Sequence, residues 1–289
     1  MNSANNSNNN EKALEVRTHD IPIADAMTEF MKEGWAPSPL TGVNPHPSIP
    51  FTKIRREKLS KQYPGSRLIF PSGSLKIRSN DSDYPFRAHS AYSWFTGIVA
   101  SDCVPDSLFV MEPNGAGHDA LLFIHPRSPR NNDEFYKNAR HGEFWIGRRM
   151  TLEETETKYA LKVVQIESIE EFLANKKETL IIRSEDKKLD QLVTESEEKE
   201  KEFLNFTSLM RIVKDQYEID EMQKAIDASV RGFADMVRVF PAATSVVRGE
   251  RVIESAFYGR ARLEGNENGY PSIVASGAHA CVLHWIRND

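Results

Sequence analysis

Leu108-Phe109-Val110-Met111 runs into Pro113-Asn114-Gly115, and Leu121-Leu122-Phe123-Ile124 runs into Pro126. Short apolar runs closed by proline, asparagine and glycine read as strands of a mostly buried sheet. Leu68-Ile69-Phe70 before Pro71-Ser72-Gly73, and later Leu180-Ile181-Ile182, extend the pattern in both directions. Helical spacing surrounds these runs. Phe51, Ile54, Arg55 and Leu59 precede the stop at Pro64-Gly65, and a second short helix fits Ser168 to Ala174. Strands mixed with helices define an α/β domain over residues 51–203.

The chain's 289 residues allow about two domains. A hydrophobic share of 39% and a charged share of 27% suit a globular protein rather than a disordered one. Lys and Arg total 37 against 42 Asp and Glu, a formal net charge of -5, which argues against nucleic acid as the main partner. Two cysteines, Cys103 and Cys281, are too few for a disulfide scaffold or a cysteine-rich zinc site. No apolar run reaches the ~18 residues of a membrane helix, and no basic-then-apolar export signal opens the chain. The expected setting is the cytoplasm, with no membrane partner.

Residues 1–50 read as an Asn-rich disordered tail followed by an extended leader, whose Pro37, Pro39, Pro45, Pro47 and Pro50 oppose helix and ladder pairing. The leader is suited to wrapping a partner surface. From Ser184 to Glu202 dense mixed charge, relieved by Leu189, Leu192 and Val193, reads as a solvated helix closing the first domain. A second unit then opens at Phe203 and fills residues 204–289. Asp215 and Glu218 form a capping-box pair, after which Ile219, Met222, Ile226, Val230, Phe233 and Val237 mark one helical face up to Pro241. Another helix starts at Glu250, carries Val252, Ile253, Ala256 and Phe257 inward, and stops at a left-handed Gly265. Ser272–Ala275 and Cys281–Trp285 read as two strands joined by Ser276-Gly277. Two helices and one hairpin are little to build a core from, so this unit reads as incomplete.

Few side chains stand out chemically. His279 and His284 are five apart, so on one strand they face opposite ways and cannot share a metal ion. His284, beside Leu283 and Trp285, fits an acid–base group in a partly buried strand. The glycines at 265, 269 and 277 lack phosphate-loop spacing, and Ser245 and Ser276 lack a nucleophile elbow. Phe86, Tyr92, Trp94 and Phe95 read as core beside Arg87 and His89. Arg211, where the two units join, fits either an interdomain ion pair or a guanidinium clamp for a carboxylate.

Several motifs in order point to one family. Arg78-Ser79-Asn80-Asp81-Ser82-Asp83-Tyr84-Pro85-Phe86-Arg87, Ser90, Trp94-Phe95-Thr96-Gly97 and Phe144-Trp145-Ile146-Gly147-Arg148-Arg149 resemble the N-terminal domain signature of aminopeptidase P. Met210-Arg211-Ile212-Val213-Lys214-Asp215 with Glu218-Ile219, and Gly269-Tyr270-Pro271-Ser272-Ile273-Val274-Ala275-Ser276-Gly277 running into Leu283-His284-Trp285, resemble the start of its catalytic domain. The resemblance implies a creatinase-like α/β domain followed by a pita-bread α+β domain. The implied activity is that of an Xaa-Pro aminopeptidase, a metalloexopeptidase that removes an N-terminal residue preceding proline. The implied cofactor is a pair of divalent cations, commonly Mn2+, which activate a hydroxide and hold the scissile carbonyl. The implied partners are a peptide with proline in second place and further copies of the chain, as dimer or tetramer.

By motif position His284 matches the histidine that contacts substrate near the scissile bond, and Arg211 matches an arginine supporting the site. The family lends a tryptophan to a neighbouring subunit's site; Ser93 holds that position here, with Trp94 beside it as the substrate-binding candidate. The family's metal ligands, two Asp, one His and two Glu, follow the strand carrying His284, and no residue here matches them. The resulting expectation is no metal site and no activity in this chain alone, either as part of a longer enzyme or as a truncated product. The alternative is a catalytically dead oligomerisation or interaction module.

Overall fold

The computed structural model describes residues 24–289, apart from Asp81, Ser184, Asp186 and residues 194–196. The Asn-rich stretch read as a disordered tail lies outside the described residues. The chain divides into two compact units between Val213 and Lys214.

Helix α1, Asp25–Lys32, leads into a segment without regular structure, as the prolines require. This leader lies along its own unit: Trp35 packs edge-on against Phe135 at 4.9 Å, and Arg127 and Arg130 donate to the Ser38 hydroxyl at 3.0 and 2.6 Å. Helix α2, Ile49–Gln62, forms where helical spacing places it, with Pro50 in its first turn. Its buried face is turned from the expected one. Leu59 and Arg55 point inward with Thr52 and Arg56, whereas Ile54 is 50% exposed. The cause is helix α3, Ser90–Thr96, whose terminal carbonyls lack intrahelical partners. Arg55 donates to the Trp94 carbonyl at 2.7 Å and Arg56 to that of Phe95 at 2.8 Å. Gly97 ends α3 at φ +78°, and a Cβ there would lie 2.1 Å from the Ser48 hydroxyl.

The central sheet has five strands. In chain order the strands are β1, Arg67–Pro71; a two-strand ribbon of β2, Ile77–Ser79, with β3, Ser82–Asp83; β4, Leu108–Pro113; β5, His118–Ile124; β6, Lys162–Gln165; and β7, Thr179–Ile181. The sheet order is β6-β5-β4-β1-β7, with β4 antiparallel to β1 and β5, and the outer pairs β5–β6 and β1–β7 parallel. Within this sheet, each apolar run read as a strand between residues 68 and 182 forms one. The runs are continuous rather than alternating because both sheet faces are covered. Leu68, Phe70, Phe109, Met111, Leu122 and Ile124 pack with α2 and α3 on one side. Ile69, Leu108, Val110, Leu121 and Phe123 pack on the other, with Phe172 and Leu173 against them.

The remaining helices of this unit are α4, Glu134–Lys137; α5, Glu143–Ile146; α6, Leu152–Tyr159; α7, Ile169–Ala174; α8, Lys187–Leu192; and α9, Glu197–Met210. The charged stretch expected as one solvated helix holds two, α8 and α9. Leu189 and Val193 are buried in the second core, and the Arg183 guanidinium pairs with Glu200 and donates to the carbonyls of Asp190 and Val193. One arginine therefore ties three charged segments into a core lid. Phe203, expected to open the second unit, lies mid-helix in α9, buried against Phe70 and Tyr63 at 5.3 Å each.

The second unit consists of α10, Gln216–Ala243, and α11, Gly249–Glu264, with an irregular segment after them. The capping box forms, with reciprocal bonds between Asp215 and Glu218 at 3.1 Å. Pro241 does not end α10 but sits in its last turn. Gly265 is not left-handed: its φ of -129° is extended backbone. The two expected strands are absent from the described residues; a 3-10 turn covers Gly277–Cys281 instead. A strand needs a neighbour for its backbone groups, and the described residues of this unit offer none. Side chains take over that task. Asn288 receives the Val274 N–H at 2.9 Å and donates to the Ser272 carbonyl at 3.0 Å.

Candidate functional site

Trp94 stands on α3, half-buried against the first core. Its ring meets Phe95 edge-on at 4.9 Å, and the Arg55 guanidinium lies over its face at 4.5 Å. Tyr92 and Phe95 beside it are fully buried, as the aromatic cluster suggested, while Phe86 is half-buried. The cation on Trp94 is held in place by its own bond to the Trp94 carbonyl, so indole and arginine form one fixed platform.

Arg211 follows α9 and turns back toward it, with a guanidinium nitrogen 3.5 Å from the Ser208 hydroxyl. Partial burial draws its pKa below the ordinary value. The same region holds His89, whose Nδ1 accepts the Ala91 N–H at 3.2 Å and so caps α3. Burial lowers the His89 pKa; the Glu185 carboxylate works against that and the Arg211 charge adds to it. Arg211 therefore acts near a histidine and a carboxylate that sequence spacing did not connect to it. Residues 89, 185 and 211 are far apart in the chain, and only the fold brings them to the end of β1. Gly73 marks how closely they approach, since a Cβ there would sit 2.9 Å from a Glu185 carboxylate oxygen.

In the second unit His284 is exposed, not part of a strand, and lies between an exposed Leu283 and a buried Trp285. The partial burial expected for its imidazole depended on a strand that does not form. The more fully built histidine is His279. Its Nδ1 lies 3.0 Å from Glu250, and its ring stacks on Trp285 at 3.9 Å. Glu250 accepts the Trp285 indole N–H at 2.7 Å, the Ser276 N–H at 2.7 Å and the Ser276 hydroxyl at 3.0 Å. Burial opposes ionisation of this carboxyl, but the indole, the imidazole and Ser276 outweigh it and hold the pKa at about 2. A glutamate at a helix start was visible in the sequence; its four donors, 26 to 35 residues away, were not.

Among the described residues no group of three His, Cys, Asp or Glu side chains could hold a metal ion. In the second unit, Glu250, the carboxylate beside His279, spends its lone pairs on indole, serine and imidazole groups. The described residues do not fit a pair of divalent cations.

Residues 52–184 match the family model described as aminopeptidase P, N-terminal domain. Xaa-Pro aminopeptidase 1 of Streptomyces coelicolor is 41% identical over 270 residues, covering 92% of this chain and 54% of its own. The solved proline aminopeptidase P II from Yersinia pestis superposes with a TM-score of 0.63 at 23% identity, over 82% of this chain and 55% of that one. A zinc-substituted aminopeptidase P from E. coli in complex with product reaches a TM-score of 0.66 at 21% identity, over 84% and 56%. The chain spans about half the length of the curated relatives it matches. The motif order, the mixed five-stranded sheet and an identity that runs past residue 184 into the second unit agree, and the chain belongs to the aminopeptidase P family.

Proposed function

We propose that this chain supplies the N-terminal domain and the opening helices of the catalytic domain of an Xaa-Pro aminopeptidase. The supporting observation is that identity at 41% covers both units and not the N-terminal domain alone. The substrate is a peptide with proline in second position, the metal is Mn2+, and the working form is a cytoplasmic homo-oligomer. When bound, such cations supply Lewis acidity and a nucleophile at neutral pH. Since the described residues seat no cation pair, the roles proposed for this chain are contacts to substrate. His284 has an accessible imidazole that can hold or deliver a proton near the scissile bond. Arg211, held back toward α9, orients a carboxylate, and the Trp94–Arg55 platform presents an apolar face to the peptide.

The proposed spans are a leader over residues 1–50, an N-terminal domain from residue 51 and the first part of the catalytic domain up to residue 289, with the division at Val213–Lys214 in place of the 203–204 boundary expected from sequence. The 289-residue chain alone is expected to release no amino acid from an Xaa-Pro peptide with Mn2+ present, while a longer reading frame containing it does. Turnover by the 289-residue chain would overturn the inactivity, and a longer form that cleaves nothing would overturn the peptidase. A second role, as an inactive assembly module, is favoured by the exposed apolar stripe of α10, from Ile219 to Val237. An authentic stop codon after Asp289, together with a stable hetero-complex with a full-length relative, would select it.

A further inference from the structure

A groove of about 720 Å³ runs between one face of α2 and the turn joining β4 to β5. Lys53, Arg56 and Lys61 line it, with Glu57 as their sole acidic counterpart among the lining residues, in a chain whose overall charge is negative. Arg56 is the unusual member. Its side chain is nine-tenths buried, it makes no ion pair with a carboxylate among the described residues, and its bond goes to the Phe95 carbonyl. Burial pushes its pKa down to about 10, against the weak opposing pull of Glu57. A desolvated guanidinium without a counter-ion is costly, and an anion entering the groove would relieve that cost. Lys53 and Lys61 form no ion pair among the described residues and are exposed, so both remain available to the same anion.

The opposite wall is held rigid. His118 Nε2 lies 2.7 Å from the Ser66 carbonyl, which can only accept, so the proton sits on Nε2 and Nδ1 accepts the Ser60 hydroxyl at 2.8 Å. The turn is closed by Asn114, whose side-chain oxygen receives the N–H groups of Ala116 and Gly117 at 3.1 and 2.8 Å. Met111, Ala116 and Ala120 add an apolar strip beside the charges. A site with basic groups at one side and apolar surface at the other suits a ligand of the same division.

We propose that this groove binds a small phosphate ester, with its phosphate against Lys53, Arg56 and Lys61 and its organic body along Met111 and Ala120. The site lies within the first unit and is independent of peptide hydrolysis. The test titrates AMP, inorganic phosphate and adenosine into the full chain at low salt, with amide NMR shifts and calorimetry as readouts. AMP is expected to bind saturably and more tightly than either phosphate or adenosine, to shift amides of residues 53–61 and 114–118, and to weaken as salt screens the lysines. Lys53→Gln with Lys61→Gln is expected to weaken AMP about tenfold with unchanged Tm, and Lys53→Arg with Lys61→Arg to retain it. Failure of AMP to bind, equal binding of inorganic phosphate, or full affinity in the double glutamine variant would overturn the proposal.

Discussion

Phe95 and Trp94 are neighbours in sequence and opposites in environment. Phe95 is wholly enclosed by Phe70 and the sheet, so Phe95→Ala is expected to cost about 3–5 kcal/mol in chemical unfolding. Trp94 is only half-buried and carries the Arg55 guanidinium over its ring, and Trp94→Ala is expected to cost roughly 1–2 kcal/mol. Equal losses for the two would show that Trp94 is core after all. Glu250 is the residue whose ionisation matters most to the second unit. Its pKa falls from the ordinary 4.5 to about 2, so its stabilising effect is complete above 4.5 and disappears as pH drops toward 2. Acid titration followed by the Trp285 fluorescence is expected to show loosening of residues 272–288 in that window, and Glu250→Gln is expected to remove the pH step. Aromatic density near residue 94 was visible in the sequence, but the face given to Arg55 was not, because that contact spans 39 residues.

At the scale of elements, α10 and α11 form one antiparallel pair that is in tight contact at Gly232. A Cβ there would lie 2.8 Å from the Phe257 ring, which also meets Phe233 at 5.5 Å. Gly232→Ala raises helix propensity by about 1 kcal/mol, yet the ring must move, and the net expected result is a loss of roughly 1–2 kcal/mol in the thermal unfolding of this unit. A gain in Tm would mean that the helices separate readily. Arg231, Arg260, Asp235 and Glu264 bridge the same two helices along an exposed edge, where salt bridges contribute little. Asp215 at the start of α10 offers a cleaner measure. Asp215→Ala removes half the capping box and is expected to cost about 1 kcal/mol. These helices and their start were legible because periodicity and caps are local; Pro241 and Gly265 misled because their effect depends on position within the last turn.

For the whole molecule, the two units differ in how much apolar surface they enclose. The first buries both faces of a five-stranded sheet. The second leaves Ile219, Met222, Ile226, Val230, Phe233 and Val237 48 to 63% exposed on a single helix. Limited proteolysis is expected to cut within residues 214–289 before the sheet domain is touched, and the chain is expected to bind a hydrophobic dye at neutral pH. A second unit that survives longer than the first would contradict this.

Sequence by itself determined strands β1, β4, β5 and β7, the main helices, the α/β class and the family, because apolar runs, turn residues and motif order are local properties of the chain. Tertiary structure alone decided which face of α2 turns inward, that the charged stretch after Ile182 closes a core, and that residues 272–285 hang on Asn288 and Glu250 instead of pairing as strands. Those outcomes depend on carbonyls, carboxylates and sheet edges distant in sequence. A pattern of residues can state a need for a partner; only the folded chain settles whether one is within reach.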